Sequence, residues 1–246
     1  MISLLKNHPF GVEAFFDYSL VLTYAFQKKD LQSLIPECLT LDTYLDRWAF
    51  VAVALVQTKA LRPKGFPAFL GNDFFLIGYR IFVRYITPTG KRLRGLYILK
   101  SETDSKKMAF LGSLFTRYRF ITTDIRQEWT GASLIIRSQK SQVDIAINTQ
   151  FIDNSLPLQS PFTSWKEARR YAGPLPFTFS YDPSRRQVLI IEGLREQWQP
   201  TPVEVEQAQI PFIKSLSHHD GQLASAFLVS QLPYCWKPGQ VQQWNR

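Results

Sequence analysis

A mainly β (α+β) fold with a few flanking helices is what this sequence predicts, and three observations carry the prediction. Stretches rich in β-branched and aromatic residues fill most of the chain. Gly, Pro, Asp and Asn punctuate them at short intervals. Helix start signals are few. Strands are expected over 14–26, 39–45, 48–59, 74–87, 93–100, 118–129, 134–138 and 143–151, then 177–181, 187–192, 197–205 and 223–229. Turns fall at Asp46-Arg47, Thr130-Gly131 and Asp182-Pro183-Ser184. Asp30 is expected to cap a short helix through Leu34, Asp104 or Ser105 one through about Phe115, and Ser164 one through about Tyr171. The segment 152–163, with Pro157 and Pro161, reads as a long connection, because strand signals continue on both sides. A single domain over 1–246 follows, a length all-β folds often use as one unit.

Composition narrows the partners. The net charge of +9 is unevenly placed: residues 1–140 hold 20 Lys and Arg against 11 Asp and Glu, and residues 141–246 hold 9 against 9. A basic excess of this kind suits acidic partners, whether nucleic acid, an anionic membrane or a small anion. Cys38 and Cys235 are too few for a disulfide framework or a zinc site, so reduced thiols and a cytoplasmic location are expected. The start Met1-Ile2-Ser3-Leu4-Leu5-Lys6 has no apolar stretch long enough for a signal peptide. The longest apolar run, Trp48 to Val56, is far short of the roughly 20 residues of a membrane span. It reads as a buried strand, and no membrane partner is expected.

The densest functional signal is a basic, aromatic hairpin. Tyr79-Arg80-Ile81-Phe82-Val83-Arg84-Tyr85 leads to a turn at Pro88-Thr89-Gly90-Lys91 and returns through Arg94-Gly95-Leu96-Tyr97-Ile98-Leu99-Lys100. No Asp or Glu lies between Phe74 and Ser101, while six Lys or Arg do. Alternation puts Arg80, Phe82 and Arg84 on one face. With Thr89-Gly90 at the tip, Arg84 should face Gly95, Phe82 should face Tyr97 and Arg80 should face Leu99. That face, two cations and two aromatics without a counter-ion, is suited to a carboxylate or phosphate. A solvated sheet face explains it equally well. After the helix, Thr116-Arg117-Tyr118-Arg119 adds a phenol among cations, which makes Tyr118 the best general-acid candidate, its pKa lowered by its neighbours.

Other chemistry is absent or weak. The twelve glycines include no Gly-x-Gly spacing, so no dinucleotide fingerprint or phosphate loop is present, and there is no Gly-x-Ser-x-Gly elbow. His218-His219-Asp220, followed by Gly221, reads as a solvated turn rather than a metal site. Cys235 has no base beside it. Lys106 and Lys107 could lower one another's pKa as imine-forming amines do, but neighbours on a helix point about 100° apart, and a solvated first turn is the simpler reading. No cofactor and no metal are expected.

The order of elements from Leu31 to Phe120 resembles the DUF2071 family of the acetoacetate decarboxylase-like superfamily. The matching pieces include Leu34-Ile35-Pro36, Leu41-Asp42-Thr43-Tyr44, Trp48-Ala49-Phe50-Val51, Gly65-Phe66-Pro67, Tyr79 to Tyr85, Gly95-Leu96-Tyr97 and Leu114-Phe115-Thr116-Arg117-Tyr118. The later block Ser160-Pro161-Phe162, Glu167-Ala168-Arg169-Arg170 and Gly173-Pro174-Leu175-Pro176-Phe177 also matches. The resemblance implies an antiparallel β barrel or cone with a central pocket and helices at its rim. It also implies a Schiff-base lysine just after the helix, where this chain has Tyr118-Arg119, and a glutamate in the strand where this chain has Tyr79 to Tyr85. Neither is present, so decarboxylation through an imine is not expected.

The expected function is therefore binding of a small anionic, partly apolar molecule of the organic-acid type. Arg80 and Arg84 would clamp the anion, Phe82, Tyr97 and Tyr118 would line the apolar part, and Arg117 or Arg119 would stand at the rim. An enzyme acting on an organic acid without a lysine is the alternative. A single-stranded nucleic-acid binder, with bases stacked on the basic aromatic strands, is the competing class. A homo-oligomer, as in the decarboxylase, is compatible with the sequence.

Overall fold

The computed structural model describes residues 5–150, 155–173, 175–196 and 198–244. The last residue of the predicted strand 143–151, part of the predicted connection 152–163 and the first residue of the predicted strand 197–205 lie outside them. In chain order the strands are β1 (Val12–Gln27), β2 (Leu39–Leu41), β3 (Trp48–Pro63), β4 (Asn72–Ile86), β5 (Arg92–Thr103), β6 (Phe120–Thr122), β7 (Arg126–Thr130), β8 (Ser133–Ser138) and β9 (Val143–Asn148). They continue with β10 (Phe177–Asp182), β11 (Gln187–Arg195), β12 (Thr201–Pro202), β13 (Glu204–Gln209), β14 (Gln222–Trp236) and β15 (Gln240–Gln243). The helices are α1 (Lys28–Leu31), α2 (Lys106–Phe115), α3 (Trp165–Ala168) and α4 (Pro211–Lys214), with short 3-10 turns beside some of them.

The predicted fold class holds: the chain is mostly strand. The large sheet runs β14-β1-β3-β4-β5-β10-β11, and β11 pairs back onto β14 at Gly193 and Trp236, so the strands close into a ring. It is mixed rather than purely antiparallel, because β5 pairs in parallel with both β10 and β6. A second sheet, β13-β9-β8-β7, is antiparallel. The expected strand 118–129 is split: Phe120 to Thr122 joins the large sheet, and Arg126 to Thr130 joins the small one.

Three expected helices are present, with one cap corrected. The Ser105 side chain accepts from Met108 N at 3.1 Å, and Ser164 accepts from Glu167 N at 3.4 Å. Asp30 does not cap α1; the helix starts three residues earlier, after Gln27, and Asp30 lies inside its first turn. The turn at 211–214 carried only Pro211 at its first position as a signal.

Alternation sorts β3 and β4 into two cores. Val51, Val53, Leu55, Ile77, Tyr79, Ile81 and Val83 turn outward and pack with Leu134, Ile136, Ile145 and Ile147 of the small sheet. Ala52, Ala54, Val56 and Phe82 turn into the ring. Burial on both faces explains why Trp48 to Val56 is apolar throughout instead of alternating.

Close approaches hold the ring shut. At Gly95, which pairs in parallel with Phe177, a Cβ would overlap the Phe177 carbonyl oxygen and the Phe179 ring. The chain before β1 is pinned by His8 N to Phe115 O at 3.1 Å and Gly239 N to His8 O at 2.8 Å. His8 is 8% exposed, and burial pulls its imidazole pKa below 6.5 against the opposing Lys237 carbonyl.

Two outcomes follow. Gly95→Ala is expected to lower stability by about 2 kcal/mol, the usual scale of overpacking, read from the urea midpoint; an unchanged midpoint would show that β5 and β10 can move apart freely. The second concerns acid. A histidine with a depressed folded pKa binds fewer protons folded than unfolded, so its contribution is whole above about 6.5 and is lost as pH falls towards the folded value. Wild type should lose more stability than His8→Asn between neutral pH and pH about 5.5, asparagine being tolerated at the positive φ of 55°. Equal losses would remove His8 as the cause.

Candidate functional site

Inside the ring lies a cavity of about 390 Å³. Its walls come from β1, β3, β4, β5, β10, β11 and β14, with Pro9, Phe10, Met108, Leu111 and Phe115 from the segment before β1 and from α2. The lining is largely apolar and includes no Asp, Glu or Lys among the described residues. One cation deep in the β4 wall, Arg80, stands out.

Local sequence makes room for it. Arg80 pairs with Ala52 on β3 and Ile98 on β5, and Gly78 pairs with Ala54. The guanidinium folds back along its own strand: a Cβ at Gly78 would sit 3.0 Å from Arg80 Nε and Nη2. Alanine, alanine and glycine thus leave the volume a planar fork needs. Arg80 makes no ion pair among the described residues, and its Nε is buried without a hydrogen-bond partner. Burial pulls its pKa down from the ordinary arginine value, opposed by the Tyr234 and Tyr118 oxygens. Guanidinium nevertheless stays protonated in proteins.

Two phenols line the same cavity. Burial pushes the Tyr118 pKa up, against the Ser180 and Thr178 hydroxyls and the Arg80 charge. Tyr234 is likewise raised by burial, with Arg80 and Arg195 opposing. The expectation that neighbouring cations would lower Tyr118 is therefore reversed: desolvation is the larger effect. Both phenols are neutral O–H groups near neutral pH. Tyr234 fits because Gly193, beside it, has no Cβ to collide with the hydroxyl. It was not singled out in the sequence, where it lies in β14, 154 residues after Arg80.

The other expected site residues go elsewhere. Arg84 gives Nε to Asp42 Oδ1 at 2.7 Å, and Arg94 bonds the other oxygen of the same carboxylate. Asp42 is fully buried, Arg94 also reaches Arg170 O at 2.8 Å, and its guanidinium lies over the Tyr171 ring. Arg84 is thus part of a structural ion cluster and clamps nothing. Tyr97 faces Ile81, not Phe82, and packs with the outer core. Phe82 does point inward, but it is covered by packing, with Tyr171 edge-on at 5.4 Å, and does not line the cavity. Arg117 bonds Asn7 Oδ1 at 2.7 Å and lies 3.8 Å from Asp182, and Arg119 is exposed; neither lines the cavity. Arg80 and Tyr118 are the expected residues that the structure brings together.

For Tyr97 the cause is a one-residue offset. Near the turn the pairs are Arg84 with Arg94 and Phe82 with Leu96, one step from the predicted register; a bulge between Tyr79 and Arg80 then restores it, so Tyr79 faces Lys100. One residue of slip exchanges the faces of a strand. A second hollow, an open groove of about 410 Å³ on the outside, holds Lys100 and Glu102, but their charges are spent internally. Glu102 takes Lys100 at 2.9 Å, Tyr79 at 3.0 Å and Ser141 at 2.6 Å.

Comparison with known proteins agrees with this architecture. Acetoacetate decarboxylase from Legionella pneumophila superposes with a TM-score of 0.60 at 12% identity, over 95% of this chain and 87% of that one. An acetoacetate decarboxylase-like enzyme from Sphingomonas wittichii RW1 gives 0.58 at 11%, over 98% and 94%. The enduracididine biosynthesis enzyme MppR, complexed with pyruvate, gives 0.54 at 10%, over 95% and 90%. At these identities the likeness is one of fold. No curated protein matches in sequence. The DUF2071 family model, described as an uncharacterized conserved protein, matches residues 15–220. The chain therefore belongs to the DUF2071 family.

Proposed function

We propose that this protein binds a small molecule with one carboxylate and an apolar body inside the ring, the carboxylate seated on Arg80. The observation that carries the reading is a guanidinium with no ion pair among the described residues, its Nε buried without a partner, in a cavity lined by no acid. A buried donor without an acceptor is costly, and a carboxylate relieves it through charge-assisted hydrogen bonds. The volume is that of an ordinary small-molecule pocket, and the apolar walls suit a hydrocarbon or aromatic body. Tyr118 and Tyr234 would donate O–H bonds to a further oxygen. The solved relative holding pyruvate, a small carboxylate, supports the ligand class.

Binding is favoured over catalysis by the same electrostatics. A phenol whose pKa is pushed up by burial is a poor proton donor near neutral pH, where general acids work best with a pKa near the working value. No lysine lines the cavity among the described residues, so an imine route lacks its amine. A nucleic acid finds no support in the cavity, because Arg84 and Arg94 are held by Asp42 and Lys100 by Glu102.

The test is a thermal-shift screen of carboxylates from butyrate to octanoate, with phenylacetate and pyruvate. A member present at about 100 times its Kd should stabilise by about 2.7 kcal/mol. Arg80→Met is expected to weaken that member roughly 100-fold or more, as removal of a buried anion partner does. Arg84→Met should leave binding intact while lowering stability, since buried Asp42 then loses one of its two arginine partners. No shift from any member, or equal shifts in wild type and Arg80→Met, would sink the proposal. Separately, incubation with pyruvate or acetoacetate and borohydride should leave the mass unchanged; a stoichiometric adduct on any lysine would convert the reading to an imine-forming enzyme.

A further inference from the structure

The cavity wall formed by Arg62 and Pro63 runs directly into an exposed loop, Lys64-Gly65-Phe66-Pro67-Ala68-Phe69-Leu70. Phe66, Phe69 and Leu70 are 54%, 84% and 52% exposed, three large apolar side chains within five residues. They are held there by a shaped backbone. Arg62 donates to Phe66 O at 2.7 Å and to Ala60 O at 2.8 Å, Leu70 N to Pro67 O at 3.1 Å and Gly71 N to Ala68 O at 3.0 Å. α2 begins at the same end of the sheet, because Phe75 N donates to Asp104 Oδ1 at 2.8 Å, and it leaves Phe110 69% exposed.

The charges around these side chains have one sign left over. Glu13 is taken by Arg62 at 2.8 Å and Asp73 by Lys59 at 3.1 Å. Lys64, Lys106 and Lys107 are exposed and make no ion pair among the described residues, whereas of the exposed carboxylates Asp73 is paired with Lys59 and Asp104 accepts from Phe75 N. We infer that this end of the molecule seats on an anionic lipid surface, with Phe66, Phe69, Leu70 and Phe110 entering the interface and the three lysines meeting the headgroups. Apolar side chains ringed by lysine are the composition that peripheral lipid binding needs. A second copy of this chain fits less well: in a two-fold contact the same patch meets itself, and like-charged lysines would face one another. The inference departs from the expectation that no membrane is a partner. It concerns a surface contact, since no helix is long and apolar enough to cross a membrane among the described residues. It does not depend on what Arg80 binds.

The test is co-sedimentation of the full chain with phosphatidylcholine vesicles, with and without phosphatidylglycerol, at low and high salt. Wild type should pellet with the phosphatidylglycerol vesicles at low salt and be released by high salt. Phe69→Ser with Leu70→Ser, and separately Lys64→Glu with Lys107→Glu, should each weaken binding roughly tenfold or more while unfolding at unchanged temperature. Phe69→Trp should shift its fluorescence to the blue on the same vesicles. No pelleting with phosphatidylglycerol vesicles would overturn the inference, as would pelleting that the loop variants leave unchanged. A dimer in light scattering that Phe69→Ser with Leu70→Ser dissolves would also overturn it, in favour of a second copy.

Discussion

The structure depends on a sheet that is buried on both of its faces and closed on itself. Once the strands form a ring, each residue of β3 and β4 must choose between the outer core and the interior. The outer positions are filled by large side chains such as Leu55, Tyr79 and Ile81, which meet the small sheet. The inner positions around Arg80 are Ala52, Ala54 and Gly78. Interiors normally pack to near-crystalline density. A cavity therefore persists only where the inward side chains are too small to fill it, and the cation occupies that place.

Two arginines on one face of β4, four residues apart, show how far context outweighs spacing. Both point the same way by alternation. Arg84 lies where the backbone at Asp42 pairs with Phe82, so a buried carboxylate is at hand; Asp42 N donates to Phe82 O at 2.9 Å. Arg80 lies four residues earlier on the strand, two repeats of the pleat away, and makes no ion pair with that segment. One guanidinium thus anchors β2 and the chain after it to the sheet, and the other is left facing the cavity.

Much of this was legible in the sequence, and the misses have physical causes. The strand-rich class, the Ser105 and Ser164 caps and the inward face of Arg80 and Phe82 followed from alternation and capping chemistry. The scarcity of acid between Phe74 and Ser101 was real, but a local count cannot see a counter-ion supplied from another part of the chain, as Asp42 is. The expected face of Tyr97 was wrong because the turn sets the register, and the bulge that restores it leaves the extra residue at Leu99, which is not a glycine. Tyr234 is invisible to any local reading, since ring closure alone brings β14 opposite β4.

The fold is shared with acetoacetate decarboxylase and an acetoacetate decarboxylase-like enzyme, and the residues facing the cavity here set their own electrostatic problem. A lysine in such a place can shed its proton when desolvated and become a nucleophile; an arginine cannot, and keeps its charge whatever the burial. The interior here holds Arg80 as a permanent cation with an unsatisfied Nε. A buried donor without an acceptor lowers stability, and an apolar side chain of similar length would relieve it. Under the proposed binding role, an anion seated on Arg80 would remove that penalty and so link binding to stability through one side chain. Gly78, with no Cβ, is what lets the guanidinium lie along its own strand and keep its face to the cavity.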